Sequence, residues 1–502
     1  MAAYFLGIDN GGTMTKAALF DAAGNEVAAA SGNTPVLVEQ DCYNQRDMDI
    51  MWQTTAAAIR GALEISGILP EEIVCIGCTG HGKGLYPWGR SGRPAYYGIA
   101  STDRRAESYI RKWQRDGTAE KAQAISLQPV IACQPAALLA WLKEHAPGAY
   151  EEIEWIFEAK DYIRFRLTGE AYGEVTDYSG TSLMDLRAGT YSKELLTLFG
   201  IAEMYDKLPP LRCSGDSCGA VTEEAARVTG LKAGTPVCGG MFDIDACAIA
   251  MDVLSPEKMC IITGTWSINE YVSAAPVPSG GTTKNSLFCI PGYYLIEESS
   301  PTSAGNLDWY LDLMTTFQNK AAVSQKQVYQ KADSLVEMLN PADSEVVFLP
   351  FLYGTNAAGA DRSAFLGLHS GHRAEHMLRA IYEGVVFSHK MHIDRLLRYR
   401  RKPAAMRLAG GAANSDIWMQ MFADVLGVSV EVVDAKELGA LGCAMAAAVC
   451  SGIYRDYLDA AQNMVRIRKV FQPDIAKREI YDRKYRAYTA CIDALAKQER
   501  KE

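Results

Sequence analysis

Two apolar runs of strand length, half a chain apart, share one design. The first is Tyr4-Phe5-Leu6-Gly7-Ile8, which gives way to Asp9-Asn10-Gly11-Gly12-Thr13 and then to a second strand-like run, Lys16 to Phe20, closed by Asp21-Ala22-Ala23-Gly24. Strand, glycine tip, strand and glycine turn predict a hairpin. The second starts at Lys258, with Met259-Cys260-Ile261-Ile262 as the strand and Thr263-Gly264-Thr265 as the tip. Between and after them, helical and strand periodicities alternate. Helices are predicted over Met51–Ser66, Arg104–Trp113, Ala374–Arg398 and Asp416–Leu426, with a charged helical segment from Ile475. Strands are predicted over Ile73–Cys78, Val346–Leu349 and Met406–Leu408. Such alternation belongs to α/β architecture. Two domains of similar ground plan follow, 1–252 and 253–502, with the boundary near Asp252 to Pro256.

The longest apolar run, Leu438 to Cys450, is rich in alanine and glycine and falls short of the ~18–20 residues a membrane helix needs. It reads as a small-residue helix packed inside a domain. No basic start followed by an apolar stretch marks a signal peptide. The thirteen cysteines, an odd number without a disulfide-like framework, fit a reducing cytoplasm. Cys75 and Cys78 form a CxxC inside a strand-like run, where residues three apart face opposite ways, so a shared metal is not expected. The net charge of -10 argues against nucleic acid as the main partner but leaves room for a local phosphate site.

Asp9-x-Gly11-Gly12-Thr13-x-x-Lys16 carries the elements of such a site. Glycines bring backbone N–H groups close to phosphate oxygens, the hydroxyl adds a donor, and an aspartate at a strand end can hold Mg²⁺ through water. Alone the same residues make a tight polar hairpin; the matching tip at Gly264-Thr265 favours phosphate. Gly77 to Gly84 nearly spells a P-loop, but Gly84 stands where Ser or Thr is needed, and Pro87 blocks the helix that should follow. Its His81 and Lys83 suit sugar hydroxyls instead. Asp103, beside Arg104 and Arg105, reads equally as a sugar contact or a helix N-cap. Gly239-Gly240-Met241-Phe242-Asp243 ends an apolar strand with a carboxylate that could orient and deprotonate an attacking hydroxyl. Asp245 is its rival, and an N-cap role for Asp243 stays open. Gly410-Gly411-Ala412-Ala413-Asn414 joins a strand to a helix and would let a flat base lie on the backbone, with Asn414 offering its amide. His389 and His392, three apart on a helix, lack a third ligand and read as structural.

With these motifs in order, the sequence resembles the FGGY carbohydrate kinases over essentially its whole length. The C-terminal signature is matched at Ser363-x-Phe365-x-Gly367-Leu368 and at His376-Met377-x-x-Ala380-Ile381-Tyr382-Glu383. The N-terminal one is matched at Pro135, Leu139, Trp141, Leu142, Glu144 and His145, with Leu138 in place of lysine. Gly82 to Leu85, Asp103 to Ala106, and Ser300 to Ser303 with Gly305-Asn306-Leu307 are similar to the members that act on L-xylulose. Ser101 stands where many members carry Trp. The resemblance implies two actin-like (ribonuclease H-like) ATPase domains flanking a central cleft, with Mg-ATP as donor and a small sugar, foremost a ketopentose such as L-xylulose, as acceptor. It implies phosphate contacts at Gly12, Thr13, Lys16, Gly264 and Thr265, and an adenosine site at Gly410, Gly411 and Asn414. Asp9 would serve the metal, His81, Lys83, Asp103 and Asp243 the sugar, and Asp243 would be the general base. Other acceptors (ribulose, xylulose, a tetritol) and a non-enzymatic, ATP-gated actin-like binding protein are the alternatives. No nucleic acid or membrane partner is expected, and a homodimer is among the assemblies open to it.

Overall fold

The computed structural model describes residues 3–39, 42–264, 266–278, 282–316, 324–356 and 362–499. The chain forms two compact units. The first comprises Met1–Leu254, Val272–Leu295 and Ala435–Arg466; the second comprises Ser255–Tyr271, Ile296–Asp434 and Ile467–Glu502. The first crossing thus falls between Leu254 and Ser255, inside the expected boundary, but two later stretches return to the first unit.

In the first unit, Tyr4–Asn10 pairs antiparallel with Met14–Asp21 and parallel with Ile73–Gly80. The sheet runs Ser217–Ala220, Pro236–Cys238, Ile73–Gly80, Tyr4–Asn10, Met14–Asp21, Glu26–Asn33. Phe5, Leu6 and Ile8 are wholly buried, as both faces of a parallel strand must be covered. One cover is the helix Met48–Ser66. Asp47 caps it by accepting from Asp49 and Ile50 N–H, Gly67 ends it with φ 66°, and Met51, Trp52 and Ile59 are its buried face.

The second cover is the helix Leu438–Cys450, one of the returning stretches. Its small residues let backbones touch. A Cβ on Gly7 would lie 2.0 Å from Ala440 O, one on Gly77 2.3 Å from Cys443 O, and one on Gly442 2.2 Å from Ala246 O. Glycines on the sheet therefore receive the helix, and a glycine on the helix receives the neighbouring helix Asp243–Ala250. The expected 253–502 division misplaces this helix because its partners lie hundreds of residues upstream.

The second unit repeats the plan. Lys258–Thr263 pairs antiparallel with Ser267–Ser273 and parallel with Ala405–Gly410. Its sheet continues through Ser429–Val433 and Ile467–Phe471 on one side and Tyr294–Ser300 on the other. The helices Ala374–Leu396, Asp416–Leu426 and Arg478–Glu499 belong to this unit. His389 sits in a buried network with Ser267, Asn269 and Ser303, and His392 faces Glu298 at 3.1 Å, which gives both histidines the structural place expected of them.

Candidate active site

In the first hairpin the strands run closer to the tip than the apolar pattern alone indicated, so Asp9 lies opposite Lys16. Gly12 and Thr13 are exposed. Behind them, the fully buried Arg46 donates to Gly11 O at 3.2 Å and to Gly12 O. A trans peptide points its C=O and N–H in opposite directions. Holding the carbonyls therefore turns the N–H groups of Gly12 and Thr13 away from Arg46, as an anion cradle requires. Arg46 was not legible as a site residue, because it acts on backbone 34 and 35 positions away.

Asp9 Oδ1 is sealed from solvent without a hydrogen-bond partner among the described residues. Burial pushes its pKa up from 3.8 to about 6, with Lys16 lowering it and Glu437 raising it. Lys16 is engaged as well: its Nζ lies 2.7 Å from Glu437 Oε2, just before the helix Leu438–Cys450.

The carboxylate Asp243 opens the helix Asp243–Ala250, and its entry is set by Gly240. Gly240 has φ +71°, and a Cβ there would lie 1.9 Å from Cys78 O. The chain can thus turn so that Met241 and Phe242 pair with Thr79 and Gly80 before the helix begins. Phe242, not Asp243, occupies the cap position. Asp243 is half-buried, whereas Asp245 is wholly buried and accepts from Cys289 N–H at 3.1 Å. Between the two rivals, only Asp243 keeps access to solvent.

The loop after Ile73–Gly80 comes to the same place. Lys83 adopts φ +64°, and its Nζ lies 5.3 Å from the Phe242 ring centroid, next to Asp243 in sequence. His81 is buried with Nε2 2.7 Å from Tyr86 OH, and its Nδ1 has no partner among the described residues. Burial, then Arg46, lowers its pKa to about 3, so it stays neutral near pH 7.

Asp103 departs from the helix-cap reading. The adjacent helix starts at Glu107, so Asp103 caps nothing. Its buried carboxylate accepts from Arg105 N, Nε and Nη2 and from Asn44 N at 2.7–2.9 Å. Those four bonds fill a carboxylate's acceptor sites. Asp103 fixes Arg105, whose guanidinium lies over Tyr43 and Trp141. Trp141 belongs to the helix Pro135–His145, where Leu138 is fully buried among apolar neighbours.

Within the second unit, a cavity of about 780 Å³ is lined by Gly264, Gly411 and Asn414 together with Tyr329, Tyr382 and Trp418. That volume suits a nucleotide-sized ligand. Gly410 shapes it: φ is +101°, and a Cβ would lie 2.4 Å from Thr263 O. Tyr382 and Trp418 stack with ring centroids 4.3 Å apart, and Asp333 Oδ1 accepts from Tyr382 OH and Ser415 Oγ, each at 2.7 Å. Tyr382 is the signature residue that sequence reasoning matched without giving it this role. Thr265 lies outside the described residues.

Comparison with known proteins shows the family. The N-terminal domain profile of the FGGY family of carbohydrate kinases matches residues 4–250 and the C-terminal domain profile residues 259–451. The L-xylulose/3-keto-L-gulonate kinase of Escherichia coli K12 is 36% identical over 502 residues, covering 99% of this chain and 98% of that protein. A probable L-xylulose kinase of Haemophilus influenzae is 36% identical over 499 residues, covering 98% and 99%. Among solved structures, xylulose kinase from Rhodospirillum rubrum superposes with a TM-score of 0.87 at 26% identity, covering 98% of this chain and 99% of that one.

Proposed function

We propose, for a chain that belongs to the FGGY family of carbohydrate kinases and is an ATP-dependent sugar kinase of two actin-like domains, that its acceptor is L-xylulose or a close ketopentose and that Asp243 is the general base. The near-full-length identity to the Escherichia coli kinase supports the sugar. The half-buried carboxylate at the first turn of Asp243–Ala250, beside the Lys83–Phe242 contact, carries the base assignment.

In this reading His81 and Lys83 receive the sugar's hydroxyls, while Asp103 holds the wall behind them through Arg105. Neutral His81 offers a hydrogen bond without charge. Asp243 takes the proton of the attacking hydroxyl as its oxygen forms a bond to the γ-phosphorus and the bond to ADP breaks; a positioned base contributes about 10²–10⁴-fold. The base and ribose of ATP occupy the cavity bounded by Gly411, Asn414 and Tyr382, with Gly410 and Gly264 shaping the backbone near the phosphates. Gly12 and Thr13 offer N–H groups to phosphate, while Lys16, paired with Glu437, supplies the adjacent charge. Asp9 fits a hydrated magnesium ion, because its sealed Oδ1 has no donor among the described residues and hard cations take carboxylate oxygen. When bound, the ion neutralises charge on the ATP phosphates. No described helix is long and apolar enough to cross a membrane. A reducing cytoplasmic setting is proposed from the sequence reading, with its odd number of cysteines lacking a disulfide-like framework. A homodimer is proposed from the sequence reading alone.

A coupled assay of ADP release across L-xylulose, D-xylulose, ribulose, aldoses and tetritols tests the substrate. The expected result is sugar-dependent release with kcat/KM highest for L-xylulose. Release independent of sugar, or a higher kcat/KM on an aldose or polyol, overturns it.

A further inference from the structure

Behind the Phe242–Asp243 turn lies a carboxyl group that the transfer step above does not use. Asp177, on the short helix Val175–Tyr178, is wholly buried, and neither of its oxygens has a hydrogen-bond partner among the described residues. It forms an ion pair with Lys160, whose Nζ lies 3.5 Å from Oδ2. The other two carboxylates around Lys160 are more fully spent. Asp161 Oδ1 takes Lys160 at 2.9 Å and Arg164 at 2.8 Å, while Glu174 accepts from Ser214 Oγ and from Thr176 Oγ1 and N–H. Asp177 is therefore the member of the trio whose charge is least committed elsewhere.

Two contacts join this group to the proposed base. Phe242 N–H donates to Thr176 Oγ1 at 2.9 Å, so the residue before Asp243 hangs on the residue before Asp177. Gly82 fills the gap between the two segments. A Cβ there would lie 2.7 Å from Asp177 Oδ1 and 2.4 Å from Phe242 Cε2, so the loop that carries Lys83 lies directly over the carboxyl. The charged groups facing Asp177 are Glu158, Lys160 and Asp161 at the start of the helix Ala159–Thr168, Glu174 at the cap of its own helix, and Asp243 across the turn. Lys83 acts on the neighbouring Glu158 from the loop above.

We propose that Asp177 is a positioning residue for the transfer: its negative charge, balanced by Lys160 and set behind the Phe242–Asp243 turn, makes Asp243 the stronger base. The inference rests on Asp243 being the base. Without Asp177, the ammonium of Lys160 is less compensated, and the nearest carboxylate of the turn becomes harder to protonate. Burial pushes the Asp177 carboxyl well above the usual range, Lys160 opposes this, and Asp161, Glu174 and Asp243 add to the rise. Ionised Asp243 is thus among the charges that raise the proton affinity of Asp177, and by reciprocity the charge of Asp177 raises that of Asp243.

The test is the pH profile of kcat/KM for the sugar in wild type, Asp177→Asn and Asp177→Ser, with unfolding temperatures measured alongside. Both variants remove the charge, and serine leaves space should asparagine pack badly. Wild type is expected to lose activity on the acid side through two coupled ionisations. In either folded variant a single ionisation remains, moved to lower pH by roughly one unit, with a plateau about threefold lower and sugar KM unchanged. A purely structural role would lower activity or raise KM without moving the limb. A folded variant that keeps the wild-type two-step limb overturns the proposal. Asp243→Asn, run in parallel, separates the two readings. If it retains turnover, the base assignment falls and this inference with it; if it is inactive while the Asp177 variants keep the wild-type limb, this inference alone falls.

Discussion

Replacing Asp9 by Asn should remove activity and strengthen the fold at once. Asp9 is a carboxylate whose pKa in the folded protein stands at about 6 against 3.8 for the free group. A raised folded value means that the folded state binds the proton more tightly, so stability is highest below 3.8 and is lost as pH rises to 6. Above pH 6 the full cost applies. At 1.36 kcal/mol per pH unit the rise corresponds to about 3 kcal/mol, which half-burial of the residue discounts to about 1–2 kcal/mol. Asparagine carries no charge to desolvate. For a unit of this size the gain is a rise of about 2–6 °C in its unfolding temperature at pH 8. Calorimetric scans of both proteins should show that difference shrinking to about half at pH 5 and about a fifth at pH 4, and vanishing below about pH 3. Sugar phosphorylation should be lost throughout, because the proposed magnesium site loses its anionic ligand. A variant less stable than wild type at pH 8, or a gain undiminished at pH 4, would refute the electrostatic reading of Asp9.

Gly410→Ala places a side chain at φ +101° with its Cβ 2.4 Å from Thr263 O, which costs about 1–3 kcal/mol in backbone strain alone. It should raise the KM for ATP tenfold or more while leaving sugar KM unchanged, as initial-rate kinetics would show. Gly442→Ala drives a methyl group to 2.2 Å from Ala246 O between two packed helices. It should destabilise the first unit by about 3 kcal/mol or more, read from denaturant unfolding, or prevent soluble expression.

What the sequence disclosed was chiefly local. Hairpins at Asp9 and Gly264, the turn into Asp243, and the glycines before Asn414 each combine an apolar strand with glycine within a dozen residues, and each was readable. Helix ends written in local chemistry were equally clear: Asp416–Leu426 and Leu438–Cys450 have the expected limits. Long-range partners were not. The affiliation of Leu438–Cys450 with the first unit depends on Gly7 and Gly77, which carry no mark of what they receive. Nothing near Asp103 in sequence discloses that Asn44 N–H would complete its four bonds. The stacked pair Tyr382 and Trp418, 36 residues apart, lines the second unit's cavity from two helices, so only the folded chain brings it together.

The assignment of Asp243 is tested most directly by measuring sugar-dependent ADP release and ATP binding on the same Asp243→Ala preparation. Turnover on L-xylulose should fall about 10²–10⁴-fold while the Kd for ATP, by calorimetry, stays within about twofold of wild type. Turnover at the wild-type rate, or loss of ATP binding equal to the loss of turnover, would contradict the account.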